Sequence, residues 1–197
     1  LVVHGPTHPR ETYLLASIFL LREVEIAATR VEHIVINKHE ETITWTLSSS
    51  KTDPKAYGVT RVLGCMCGHP SLPCPYHLAI MVTTSTRKFA SDAGLSPADC
   101  GALPLFHDGV GHSPTKSAMV TTFELLAQRC GLPLCSSDGA RLYGGHTARV
   151  EGAQALATAG AEVSKIRIFA RHSGEAILRY VAEAPLISLR HDLGKFT

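Results

Sequence analysis

This sequence has almost no surplus of charge. Lysine and arginine number 19 against 17 aspartates and glutamates, charged residues make up 18% of the 197, and the formal net charge is +2. That excludes a protein that coats nucleic acid through a field spread over its whole surface, so any grip on phosphates must come from a local cluster of donors. Long apolar runs are missing too. The longest, Tyr13-Leu-Leu-Ala-Ser-Ile-Phe-Leu-Leu21, is too short to span a bilayer, and no charged stretch or cleavage-site pattern precedes it as in a secretory signal. No membrane partner is expected. Internal repeats and low-complexity blocks are absent as well. Six cysteines occur without any secretory cue, which favours reduced thiols in an intracellular compartment over a disulfide framework. The first residue is Leu rather than Met, and the chain is read as a fragment of something longer.

What is present is enough apolar material, 45%, for one well-buried domain. Eleven histidines will raise the charge as pH falls toward about 6. Apolar residues at helical spacing, Leu14, Ile18, Leu21 and Ile26, predict one helix from about Glu11 to Thr29. His33 to Asn37, Thr42 to Leu47 and Thr60 to Leu63 are rich in Val, Ile and Thr and read as three strands. A helix begins at Pro73 and runs to Thr84, and Gly94 to Gly111 reads as loop. Ser113-Pro-Thr opens a helix that Gly131 and Pro133 stop. Gly144-Gly145 precedes a helix carrying His146 and Arg149 that ends at Gly160. Ser164 and Ser173 are candidate N-caps of two short helices, the last closed by Pro185. The order predicts a single α+β domain, mostly helical, with a small three-stranded antiparallel sheet.

The chemistry-bearing residues follow that frame. His146 and Arg149 are three apart, a spacing that puts both on one helix face, and they combine a tunable donor with a planar fork suited to phosphate oxygens. The glycines before them let backbone approach a ligand closely, and a helix N-terminus offers free N–H groups to an anion; an exposed helix face is the plain alternative. Tyr180 shares a helical spacing with Ile177, Val181 and Ala184, as a core tyrosine would. A free phenol, with a pKa of about 10, is a weak nucleophile unless positive donors surround it. Arg149, His146, Arg171 and His172 lie near enough in sequence for short helices to gather them. Arg22 interrupts an apolar stretch and pairs by spacing with Glu25, either as a surface ion pair or as a second phosphate clamp. Lys51, in Ser48-Ser-Ser-Lys-Thr-Asp-Pro54, is either a solvated turn lysine or a mobile acid that protonates a leaving 5′ oxygen.

Taken in order, Leu-Leu-Arg22-Glu-Val-Glu25-Ile, the strands with Lys51-Thr, Gly-Gly-His146-Thr-Ala-Arg149 and Ala-Arg-His172-Ser-Gly-Glu-Ala-Ile-Leu-Arg-Tyr180-Val resemble the catalytic domain of the tyrosine recombinase (phage-integrase-like) family, from about Leu20 to Glu183. The His172-to-Tyr180 spacing is most similar to eukaryotic mobile-element recombinases of the Crypton type and the integrase-like proteins of dinoflagellates. The resemblance implies a site-specific recombinase or integrase domain acting on double-stranded DNA through a 3′-phosphotyrosine. It makes Arg22 the first arginine of the triad and Glu25 its supporting acid. Lys51 becomes the general acid, His146 and Arg149 the holders of the scissile phosphate, His172 a donor to a non-bridging oxygen, and Tyr180 the nucleophile. It further implies a homo-tetramer on DNA, with a monomer expected for the piece in isolation, and a nuclear location if the source is eukaryotic. Catalysis would need neither metal nor nucleotide, because guanidinium and imidazole donors stabilise the transition state. A DNA-binding relic that no longer cleaves and a type IB topoisomerase-like activity are the alternatives. The chain departs from the family at Leu20-Leu21, where Gly usually precedes the first arginine, and at Glu23. The DNA-gripping domain that usually precedes the catalytic one has no counterpart in the sequence.

A separate motif lies within residues 64–78. Cys65-Met-Cys67-Gly-His-Pro-Ser-Leu-Pro-Cys74-Pro-Tyr-His77 gathers three cysteines and a histidine, the donor types of a structural zinc. Its Cys-x-Cys is tighter than the common Cys-x-x-Cys, and reduced cysteines packed as small hydrophobes are the alternative.

Overall fold

Helix α1 (Pro9–Ile18) starts with proline in its first turn and Glu11 beside it, a preset φ and an anion at the positive helix end. Thr12, Leu15, Ala16 and Ile18 form its buried stripe. The single helix expected from Glu11 to Thr29 is in fact two, in a computed structural model that describes residues 4–47, 59–69, 72–171 and 176–182. At the end of α1 the Leu20 N–H donates to the Ser17 carbonyl at 3.1 Å and the Leu21 N–H to the Ala16 carbonyl at 2.8 Å. This Schellman closure needs a left-handed residue after the cap, and Leu20 supplies it at φ 52°. A short helix α2 (Glu23–Ala27) then starts from Arg22 in an extended conformation. Phe19, Leu20 and Leu21 are all fully buried. An all-round apolar run carries no periodic mark of a break, which is why helical spacing read straight through it.

A left-handed leucine costs about 1–2 kcal/mol. Its side chain offsets this by entering a second apolar cluster with Ala153, Ile166, Ala170, Ile177 and Val181, a burial that contributes about 1.5–3 kcal/mol.

The sheet has the expected order and sense. Strands β1 (Ile34–Asn37), β2 (Thr42–Leu47) and β3 (Val59–Gly64) pair antiparallel as β1-β2-β3, and a 3-10 turn at Val31–His33 takes up the residue expected to start β1. Alternation sends Ile43, Trp45 and Leu47 of β2 into the core. Trp45 lies 4.8 Å from Phe19 and 6.0 Å from Phe106 between ring centroids. On β3 the buried position opposite Trp45 is held by Arg61.

Helices complete the domain. Helix α3 (Pro75–Asp92) runs eight residues beyond the expected Thr84. The expected loop at Gly94 to Gly111 contains α4 (Pro97–Ala102), whose N-cap Ser96 accepts from the Asp99 N–H at 3.2 Å. Helix α5 (Lys116–Arg129) is capped by Thr115 rather than Ser113. Helix α6 (Thr147–Thr158) is followed by α7 (Val163–Ala170), which starts from Glu162 rather than from Ser164, and by α8 (Ala176–Tyr180). Ser173 and Pro185 lie outside the described residues. α1 packs on α3, α5 and α6, and α8 packs on α6 and α7. The α1–α6 contact is backbone against backbone: a Cβ on Gly152 would fall 1.8 Å from the Ser17 carbonyl oxygen. No helix among the described residues is long and apolar enough to cross a membrane.

The left-handed turn makes a testable ordering. Leu20→Ala loses the buried side chain and keeps the strain, whereas Leu20→Gly loses the side chain and relieves it. We expect Leu20→Gly to be the more stable of the two by about 1 kcal/mol in urea unfolding, the reverse of the usual order; an alanine variant as stable as the glycine one would contradict this account.

Candidate functional site

The break after α1 places Glu25 in the first turn of α2, and one carboxylate there gathers three arginines. Its Oε2 accepts from the Arg22 backbone N–H at 2.8 Å and from Arg149 Nη2 at 2.7 Å. Its Oε1 accepts from Arg22 Nη2 at 3.1 Å and from Arg171 Nη2. The Glu25 side chain is only 2% exposed. Burial works against its charge, yet Arg149 and Arg22 outweigh that and hold the carboxyl below the usual glutamate range. Arg149, in the first turn of α6, also donates Nε–H to the Leu20 carbonyl at 2.8 Å. The left-handed turn thus supplies a second anchor for the same guanidinium.

Arg61 joins the cluster from β3. It donates to the Phe19 carbonyl and lies over the Phe169 ring, 4.8 Å from its centroid. Burial, followed by the nearby Arg171, pulls its guanidinium below the arginine range to about 9, still cationic at neutral pH. Arg171 ends α7 in a left-handed conformation, φ 56°. Two non-glycine residues in that sparsely populated region, Leu20 and Arg171, therefore flank the site. Several donors remain over. Among the described residues Arg22 Nε, Arg61 Nε and Nη2, and Arg171 Nε and Nη1 are buried without a hydrogen-bond partner. Buried donors of this kind call for an acceptor.

His146 stands exposed at the N-cap of α6, just outside the helix rather than on its face. Burial in part lowers its pKa; Glu23 opposes this, while Arg149, Arg22 and Lys116 add to it. His146 is therefore neutral at pH 7. The unusual Glu23 is buried, pairs with Lys116 at 3.4 Å and donates its N–H to the Gly145 carbonyl at 3.1 Å. A Cβ on Gly145 would meet the Glu23 carboxyl carbon at 2.0 Å. The glycine expected to admit a ligand thus admits this carboxylate. A cleft of about 540 Å³ opens beside His146, lined in part by Tyr143, Gly144, Thr147 and Glu151.

Of the residues expected from the sequence, Arg22, Glu25, His146 and Arg149 come together here. Tyr180 is half-buried at the end of α8 and packs against the second apolar cluster, on a helix that touches both α6 and α7. Lys51 and His172 lie outside the described residues. Arg61 was missed, although it shares the strand phase of Val59 and Leu63. Arg171, one of the four donors expected to gather, does so through Glu25, a pairing that its sequence neighbours do not mark. Cys65, Cys67, Cys74 and His77 form a separate group, their ligand atoms all within 4.8 Å of one another.

No protein-family model and no curated protein matches this chain. Solved structures do. The chain is similar to the XerH site-specific recombinase bound to palindromic difH substrate in a post-cleavage complex, with TM-score 0.60 and 12% identity over 88% of this chain and 42% of that one. It is similar also to XerH bound to difH substrate in a pre-cleavage complex, with TM-score 0.59 and 13% identity over the same shares. The chain spans less than half the length of these structures. Its fold is that of a tyrosine recombinase catalytic domain.

Two measurements check the site as a folding unit. Glu25→Gln leaves buried arginines without their shared anion and should cost about 3–5 kcal/mol in urea unfolding; a loss under about 1 kcal/mol would show that the arginines do not depend on it. His33, His107 and His146 all have lowered pKa values in the fold, so the unfolded chain binds their protons more readily. Stability should be full above the ordinary histidine pKa of about 6.5 and decline as pH falls below it. A denaturation midpoint unchanged between pH 7.5 and 5.5 would refute this.

Proposed function

We propose that this domain breaks and rejoins DNA strands through a 3′-phosphotyrosine at Tyr180. The observation that carries the reading is the set of buried guanidinium donors around Glu25 that have no partner of their own. A phosphodiester brings two non-bridging oxygens that accept from such donors, and the charge of its transition state falls where preorganised donors already stand. Glu25 keeps the forks aimed, and the Leu20 carbonyl fixes Arg149 from a second side.

In the proposed reaction the Tyr180 phenol oxygen attacks the scissile phosphorus and gives up its proton to solvent, from which Lys51 is later recharged. The bond from phosphorus to the 5′ oxygen breaks, and Lys51 protonates that oxygen as it leaves. A phosphodiester is replaced by a phosphotyrosine of similar energy, so no nucleotide or external energy source is consumed. Attack by a 5′ hydroxyl reverses the step. Neutral His146 gains an anionic neighbour when DNA binds, which favours its protonated form.

The fold shared with XerH, whose structures hold difH substrate before and after cleavage, supports double-stranded DNA as the partner. A nicked duplex pool carrying 5′-bridging phosphorothiolates should trap a covalent adduct with this chain and none with Tyr180→Phe. Lys51→Ala should slow cleavage of ordinary DNA roughly 10²–10⁴-fold and recover on the phosphorothiolate, whose thiolate leaves without a proton. Salt-dependent binding with no adduct would reject catalysis in favour of a DNA-binding relic. DNA binding should also tighten from pH 7.5 to 6 with proton uptake that His146→Gln abolishes; a pH-independent wild type would remove His146 from the phosphate site.

A further inference from the structure

We infer that Cys65, Cys67, Cys74 and His77 bind one zinc ion that fastens the end of β3 to the start of α3, a role independent of the chemistry at Tyr180. The four side chains reach one point from two elements. Cys65 and Cys67 follow β3, Cys74 is the N-cap of α3, and His77 lies in its first turn. Cys65 Sγ and Cys74 Sγ are 3.7 Å apart. His77 Nδ1 lies 3.2 Å from Cys67 Sγ, 3.2 Å from Cys74 Sγ and 3.8 Å from Cys65 Sγ. A tetrahedron with Zn–S bonds of about 2.3 Å and a Zn–N bond of about 2.0 Å has edges of roughly 3.5–3.8 Å. The observed separations bracket those edges.

Hydrogen bonding does not account for this convergence, because one ring nitrogen serves one thiol at a time. A disulfide does not account for it either. Its sulfurs would lie about 2.05 Å apart, and it would leave the third cysteine and the histidine without a reason to be there. Three thiolates and an imidazole are a zinc donor set, and the tetrahedral arrangement disfavours the octahedral oxygen-seeking cations. The surroundings suit a thiolate as well. The Met66 N–H donates to Cys74 Sγ at 3.2 Å, the kind of outer contact that orients a ligand. Cys74 also sits at the positive end of an 18-residue helix.

On binding, three Zn–S bonds and one Zn–N bond form and three thiol protons pass to solvent, with no change of oxidation state. The mechanical result follows from the connections. The Cys65 N–H already donates to the Glu41 carbonyl at 2.8 Å, so the metal would join the β1–β2 turn, the end of β3 and α3 in one knot. β3 carries Arg61, and α3 supports all three strands. The zinc would thereby hold the sheet side of the arginine cluster.

The experiment is metal analysis of the reduced, purified chain after incubation with zinc and removal of excess. About one tightly held zinc per chain is expected, and cobalt in its place should give the intense visible bands of a tetrahedral thiolate site. The combined variant Cys67→Ser with His77→Ala, both exposed positions, should keep its far-ultraviolet circular dichroism and lose the metal. Its melting temperature should fall by roughly 10 °C, to that of the chelator-treated wild type. A wild type that holds no zinc, a double variant that retains it, or a cobalt spectrum without thiolate character would each overturn the assignment.

Discussion

The rest of this structure depends on the pairing of one buried carboxylate with three guanidiniums from three distant stretches of chain. Glu25 comes from α2, Arg22 from the residue before it, Arg149 from α6 and Arg171 from the end of α7. None of these charges would be tolerated in such a place alone, because removing an ion from water costs several kcal/mol unless it is matched. The match forces α1 to end early, so that Arg22 and Glu25 face inward together. Ending it early puts Leu20 in a left-handed conformation, and that turn exposes the carbonyls that bind Arg61 and Arg149. Fold and site are thus settled by the same few hydrogen bonds.

The cluster also explains how a chain of nearly balanced charge holds so much positive potential in one place. Three arginines share one carboxylate, a fourth, Arg61, stands beside them on the Phe19 carbonyl, and the second acid, Glu23, is occupied by Lys116. The excess is local, and it stands in a buried setting where charge is poorly screened. Neutral His146 fits the same balance: neighbouring cations already make a further positive charge costly.

Much of this was legible in the sequence, for physical reasons that differ by element. The three strands and their order were clear because alternation and β-branched residues mark each one. Arg22 and Glu25 were legible because a charge inside an apolar stretch must be paired, and His146 and Arg149 because they stand three apart directly after two glycines. The break after Ile18 was not, since three consecutive buried residues have no phase. Helix α4 was hidden by its brevity, although Ser96 and Asp99 are its cap. Arg61 went unseen because arginine on a strand is ordinarily taken to face water; only its phase with Val59 and Leu63 signals otherwise. The metal-type group was legible in composition, but its closure in space depends on α3 beginning at Pro75.

Gly152 has a wider consequence. Because it meets the Ser17 carbonyl directly, the spacing between the two halves of the site is set by main chain, not by the size of any side chain. Core residues elsewhere can change volume and repack without altering that spacing, much as a machine keeps its alignment when the reference faces are bare metal. The separation of the arginines is therefore insensitive to most side-chain exchange elsewhere in the core, and it would change only if the main chain at this crossing moved.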